Sequence, residues 1–146
     1  MSGIKVTPAD ISFGNCIKER SDWTCEFPGC GRRYPPPSSL NCCHYFSRGD
    51  WSTRFDKDNC IAMCYAHHSW MDGHHHQFRE FMEKRLGEDR YKALVSRNSD
   101  VARGKDFKRT KGVGVIAKYY REVYQDMVIW RMSNSDTIID FEEYKL

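Results

Sequence analysis

Apolar positions along this chain change their spacing near residue 73. Before it they come in short runs broken by Gly, Pro, Asp and Ser. After it they recur every three or four residues. The first half opens with Thr7-Pro8-Ala9-Asp10, which has the chemistry of a helix start. Thr7 can cap, Pro8 suits the first helical position, and Asp10 stands three residues after the cap. Ile11, Cys16 and Ile17 are expected to form the buried face, with Lys18, Glu19 and Arg20 towards solvent. Trp23 to Cys30 reads as a short strand and a tight turn, Phe27-Pro28-Gly29-Cys30 supplying the turn. Residues 32–39 form a loop, because three consecutive prolines block a helix. Residues 40–46 suit a half-buried strand. A loop over 47–50 leads to a returning strand expected at 52–55. Asp56 to Asn59 starts a turn or helical segment. Cys64 to Trp70 is expected to be a short helix, ended at Asp72-Gly73.

In the second half Phe78, Phe81, Met82, Arg85 and Leu86 mark one amphipathic helix, closed by Gly87. Residues 88–97 form another, with Tyr91, Leu94 and Val95 inward. A connector over 103–111 carries five basic residues against one acidic. Residues 115–132 form a long helix rich in Tyr, and residues 133–146 an acidic tail that includes Asp136. The tail would repel a polyanion, so it is expected away from any DNA cleft or against a partner subunit. The expected division is residues 1–98 as the core with its following helices, and 99–146 as basic linker, long helix and tail. The second part either joins the same compact unit or forms a dimerisation or DNA-binding extension.

Composition narrows the class. A mean hydropathy of -0.74 with 29% charged residues indicates a soluble protein. No apolar run approaches ~18 residues, so no membrane span is expected. The start lacks the apolar segment of a signal peptide, which points to the cytoplasm. There structural disulfides are rare, so the seven cysteines need another use. Cys25-x4-Cys30 and Cys64-x2-His67 provide four thiolate or imidazole ligands, enough for a closed structural zinc site. Cys60 is the main rival for that set, being one helical turn from Cys64; Cys42 and Cys43 are further substitutes. Cys16 is assigned to the core. The net charge of +3 is too small to establish a nucleic-acid partner.

His44, Asn59 and His68 stand around these ligands in a spaced pattern. It resembles the HNH endonucleases of the ββα-metal, or His-Me finger, type. In that family a first His ends a strand, an Asn lies near the start of the following segment, and a zinc pair precedes a last His on the helix. His44 matches the first His and Asn59 the Asn. Cys64-Tyr65-Ala66-His67-His68 matches Cys-x2-Cys-His, with His67 in place of the second Cys. Within the family the likeness is nearest to phage recombination nucleases of the NinG (Rap) type. It is carried by Ile17-Lys18-Glu19-Arg20 ahead of Trp23 and Cys25, then Cys30-Gly31, His44-Tyr45, Arg54-Phe55, Asp58-Asn59, Phe78 and Leu86-Gly87-Glu88. It covers roughly residues 13–97.

The resemblance implies an α+β fold: a small zinc-braced ββα-metal (HNH) core flanked by an N-terminal helix and C-terminal helices. It implies a metal-dependent DNA endonuclease acting on branched or nicked recombination or replication intermediates, in the host cytoplasm if the chain is phage-encoded. His44 would be the general base, and His68 a ligand of a catalytic Mg2+ or Mn2+. Asn59 would hold the loop and orient His44, or give its amide oxygen to that ion. The products would carry a 5′-phosphate and a 3′-hydroxyl. The family usually has Asp or His just before the first His, as a second metal ligand; this chain has Cys43, a poor ligand for magnesium. The favoured reading makes Cys43 structural and leaves the ion to His68 and Asn59; the other makes the working metal softer. Asp72 and His74, His75 and His76 are further candidate ligands, the three histidines being read as solvent-exposed. Arg48, Arg54, Lys108, Arg109 and Lys111 are candidate DNA contacts. Residues 115–132 offer the best surface for a homodimer. Two other readings stand beside this one: a restriction or homing nuclease of the same type, and a zinc-stabilised nucleic-acid-binding module without catalysis.

Overall fold

The computed structural model describes residues 4–110, 114–134 and 137–145. It is mainly helical, with one two-stranded sheet. Helix α1 (Pro8–Arg20) comes first, then strands β1 (Asn41–His44) and β2 (Cys60–Met63). Helices α2 (Tyr65–Asp72), α3 (His75–Leu86), α4 (Glu88–Asn98), α5 (Val101–Thr110) and α6 (Val115–Ser133) follow. The strands are antiparallel, in the register Asn41–Met63, Cys42–Ala62, Cys43–Ile61 and His44–Cys60. A 3-10 turn over Lys57–Asn59 feeds directly into β2.

The capping box at α1 forms as expected. The Asp10 N–H donates to Thr7 Oγ1, and the Thr7 N–H donates to Asp10 Oδ2 at 2.7 Å. The inward face of α1 is Ala9, Phe13, Cys16 and Ile17, all buried, while Ile11 is exposed. Positions 9, 13, 16 and 17 share one helical stripe, and residue 11 falls outside it. Glu19 also turns inward rather than to solvent. It accepts from Trp23 Nε1 at 2.8 Å and Arg131 Nε at 2.7 Å, so the buried charge is paired. Phe13 meets Phe55, Tyr120 and Phe141 edge-on, with centroids 5.0–6.0 Å apart. Helix α1 packs against α6 and both strands. One hydrophobic core therefore runs from Phe13 through Ile61, Met82 and Leu94 to Phe107 and Tyr120.

Four expectations are corrected. The returning strand is Cys60–Met63, buried on both faces, and not residues 52–55. Those residues lie in a turn because their side chains bond elsewhere: Ser52 Oγ and Thr53 Oγ1 each donate to Asn98 at 2.8 Å. Trp23 to Cys30 is not a strand; a single bridge joins Thr24 to Arg33, and the Cys25 N–H donates to the Arg32 carbonyl. Most of the basic connector is helical, as α5, because Phe107 inserts into the core. A Cβ at Gly104 would stand 3.3 Å from the Ser52 nitrogen, so this helix lies close on the 46–55 loop. Val95, expected inward on α4, is exposed, whereas Leu94 is fully buried.

The acidic tail docks on its own body. Phe141 enters the core, Glu143 Oε2 accepts from the Lys57 N–H at 2.6 Å, and Asp140 pairs with Lys57 Nζ at 3.0 Å. Asp136 lies outside the described residues.

Candidate metal centres and the adjoining cleft

The turn at Phe27–Cys30 closes with the Cys30 N–H donating to the Phe27 carbonyl at 3.0 Å, and Gly29 takes φ 83°. That conformation favours glycine. It brings Cys25 and Cys30 to the start of α2, where Cys64 is the capping residue and His67 lies one turn on. The ligand atoms of Cys25, Cys30, Cys64 and His67 all fall within 4.8 Å of one another. His67 Nδ1 is 3.2 Å from Cys64 Sγ and 3.6 Å from Cys25 Sγ. Ligands about 2.3 Å from a tetrahedral ion stand about 3.8 Å apart, so the set is sized for zinc. Burial opposes a thiolate at Cys64. Hydrogen bonds from the His67 N–H and from Cys25 outweigh it and hold the Cys64 thiol below its usual range. Burial pushes the Cys25 thiol up to about 11. Phe27 covers the imidazole of His67, stacked at 4.0 Å and 5°. This is the ligand set expected from the sequence, and its chemistry fits a structural metal such as zinc. Cys60 is not in it: that residue is fully buried in β2, opposite His44.

The next residue of α2, His68, faces elsewhere, because successive helical residues differ by about 100°. It joins a second group with Cys43 and Asp72, again within 4.8 Å of one another. His68 Nε2 lies 3.4 Å from Asp72 Oδ2. Cys43 is fully buried, and burial together with the nearby Asp72 carboxylate pushes its thiol well up. Sulfur, nitrogen and oxygen donors thus meet at one point, a mixture suited to a borderline or soft divalent ion.

His44 follows Cys43 on β1. Its Nε2 is 3.0 Å from the Arg54 carbonyl oxygen. A carbonyl only accepts, so Nε2 carries the proton and Nδ1 the lone pair. Burial pulls the imidazole down to about 4, so it is neutral at pH 7. His44, Cys42, Arg48, His68, Asp72 and His75 share a cleft of about 630 Å³. Arg48 Nη2 donates to the Ile4 carbonyl at 3.1 Å. Its Nε is buried with no hydrogen-bond partner among the described residues.

Asn59 holds the loop and is not a metal ligand. It is fully buried, with Oδ1 accepting from the Phe46 N–H at 2.8 Å. Its Nδ2 donates to the Phe46 and Thr53 carbonyls at 3.0 and 3.2 Å. Both ends of the 46–53 loop are therefore tied to one amide, and Asn59 does not line the cleft. Arg54 is likewise no DNA contact. It is 3% exposed, pairs with Asp10 through two hydrogen bonds of 2.9 and 2.7 Å, and lies over Trp51.

Lys108 and Arg109 are exposed on α5, do not line the cleft, and Arg109 pairs with Asp106. Lys111 lies outside the described residues. His74, His75 and His76 are exposed as expected; His74 stacks on Trp70 and His76 pairs with Glu80. Sequence reasoning named Asp72 without using it. Its position one helical turn after His68 was the available signal. It missed the Arg54 carbonyl, since a backbone acceptor leaves no mark in sequence.

No protein-family model, curated protein or solved structure matches this chain. Among the described residues no helix is long and apolar enough to cross a membrane.

Proposed function

We propose that this chain is a metal-dependent DNA endonuclease of the HNH (ββα-metal) type, with β1, β2 and α2 as its catalytic core. The carrying observation is His44: a neutral imidazole with a fixed tautomer, beside the Cys43, His68 and Asp72 group. In this reading Nδ1 takes a proton from water as the water attacks phosphorus. Nε2 keeps its proton, donates it to the Arg54 carbonyl and so holds the ring in place. Asn59 acts as a positioning residue by pinning the 46–53 loop, and Arg48 offers its guanidinium to the phosphate. A divalent ion held by Cys43, His68 and Asp72 would neutralise phosphate charge and stabilise the leaving 3′-oxygen. The sulfur donor and the engaged amide of Asn59 favour manganese or a softer ion over magnesium. The Cys25 group holds zinc and braces the start of α2. The substrates are branched or nicked recombination or replication intermediates, as for the NinG-type nucleases that the sequence resembles.

The test is cleavage of supercoiled plasmid and of a labelled four-way junction with manganese, magnesium or EDTA, the His44→Ala protein beside the wild type. Manganese-dependent cutting, reduced about 10²–10⁴-fold in the variant, is the expected result. Faster cutting of the junction than of linear duplex supports the recombination substrate. If both proteins bind DNA and neither cuts with any ion, the zinc-stabilised binding module replaces this reading.

A further inference from the structure

The face of the sheet that carries His44 holds two more ligands. Cys42 and His44 are two apart on β1, so their side chains leave the same face. Cys60 stands directly opposite His44 in the register. The sulfurs of Cys42 and Cys60 and a ring nitrogen of His44 all lie within 4.8 Å of one another. Cys60 is fully buried, whereas Cys42 is part-exposed and lines two clefts that His44 and His68 also line. An ion therefore has a way in. The donor set is two sulfurs and one imidazole, which selects soft ions such as zinc. Lys18 lines the same entrance, and Arg20 donates to the Cys60 carbonyl at 2.9 Å.

We propose that Cys42, His44 and Cys60 form a further zinc site, separate from the Cys25 and Cys43 groups, and that zinc bound there switches the cleft off. The binding half stands on the ligand geometry alone; the inhibitory half rests on the nuclease reading above. On binding, each thiol releases its proton to solvent, and the two thiolates balance the charge of the ion. His44 keeps its Nε2 proton, donated to the Arg54 carbonyl, and gives its other nitrogen's lone pair to zinc. That lone pair is then no longer available to activate water.

The test uses the full chain, kept reduced and carrying its structural zinc, in equilibrium dialysis against buffered free zinc. Bound metal is counted for the wild type, Cys42→Ser, Cys42→Ala and Cys43→Ser. The wild type is expected to hold one ion more than either Cys42 variant at the same free zinc, and the Nδ1 ¹⁵N resonance of His44 to shift only where Cys42 is present. Circular dichroism and retention of the first zinc confirm that the variants fold. Equal counts in the wild type and both Cys42 variants overturn the site. So does loss of the extra ion in Cys43→Ser alone.

In a parallel manganese-supported cleavage assay, free zinc about ten times the dissociation constant should lower wild-type cutting about 10-fold and spare Cys42→Ser. Undiminished cutting with the site filled overturns the inhibitory half. If the count and the resonance behave as expected but no protein cuts DNA, the nuclease reading fails and the zinc site stands.

Discussion

The Cys25 and Cys43 groups are reached from adjacent residues of α2, His67 and His68, yet they differ in ligand number, ligand type and surroundings. The first has four sulfur or nitrogen ligands and is roofed by Phe27. The second has three ligands of three kinds and adjoins a cleft that also holds His44 and Arg48. A closed set leaves an ion no position for a substrate, so its free energy goes into folding. A three-residue set leaves coordination positions for water or phosphate. One short helix can supply both because its neighbouring side chains diverge by about 100°.

The sharpest way to break this contrast is to remove a ligand of the closed set. Cys64→Ala should cost on the order of 10 kcal/mol of metal-linked stability, unfolding the 25–30 turn and α2. Circular dichroism and the zinc content of the purified protein measure it; an unchanged melting temperature would show that the group braces nothing. Next comes the support beneath the open side. Arg54→Ala strands the buried Asp10 carboxylate and should cost about 3–5 kcal/mol in urea unfolding.

The third effect is a pH dependence. Burial lowers His44 from 6.5 to about 4. Between those values the unfolded chain holds a proton that the folded chain lacks, so stability falls as pH drops through this window and levels below it. The change is at most roughly 3 kcal/mol, and it should vanish in His44→Gln. The smallest effect separates the two groups most cleanly. His68→Ala should keep the structural zinc and the melting temperature, yet weaken manganese binding by more than about 100-fold in calorimetric titration. A variant that instead lost its zinc would mean that the two groups are one.

Much of the closed set was legible in the sequence because its chemistry is carried by side chains. Cys25, Cys30, Cys64 and His67 announce themselves by type and spacing, and the helix start at Thr7 by its cap. What surrounds His44 was less legible. Arg54 looked like a surface cation beside the site, and only the fold shows it buried against Asp10. Asn59 is favoured from the sequence as a ligand of the catalytic ion, with loop brace as the alternative, and its amide makes three backbone hydrogen bonds that tie the loop. The returning strand was misplaced because residues 52–55 have strand-like composition, while their hydroxyls are engaged by Asn98 across the fold. Local pattern does not carry contacts made more than forty residues away.

Arg54 serves two masters with different atoms. Its side chain settles an account with Asp10, and its carbonyl fixes which nitrogen of His44 holds the proton. The proton on His44 therefore depends on where the backbone of residue 54 runs, and only indirectly on which side chain grows from it. Among related sequences, positions 10 and 54 should covary as a pair. Acid with base, or two apolar residues of matching volume, both keep the carbonyl in place, while a lone charge at either position should be absent.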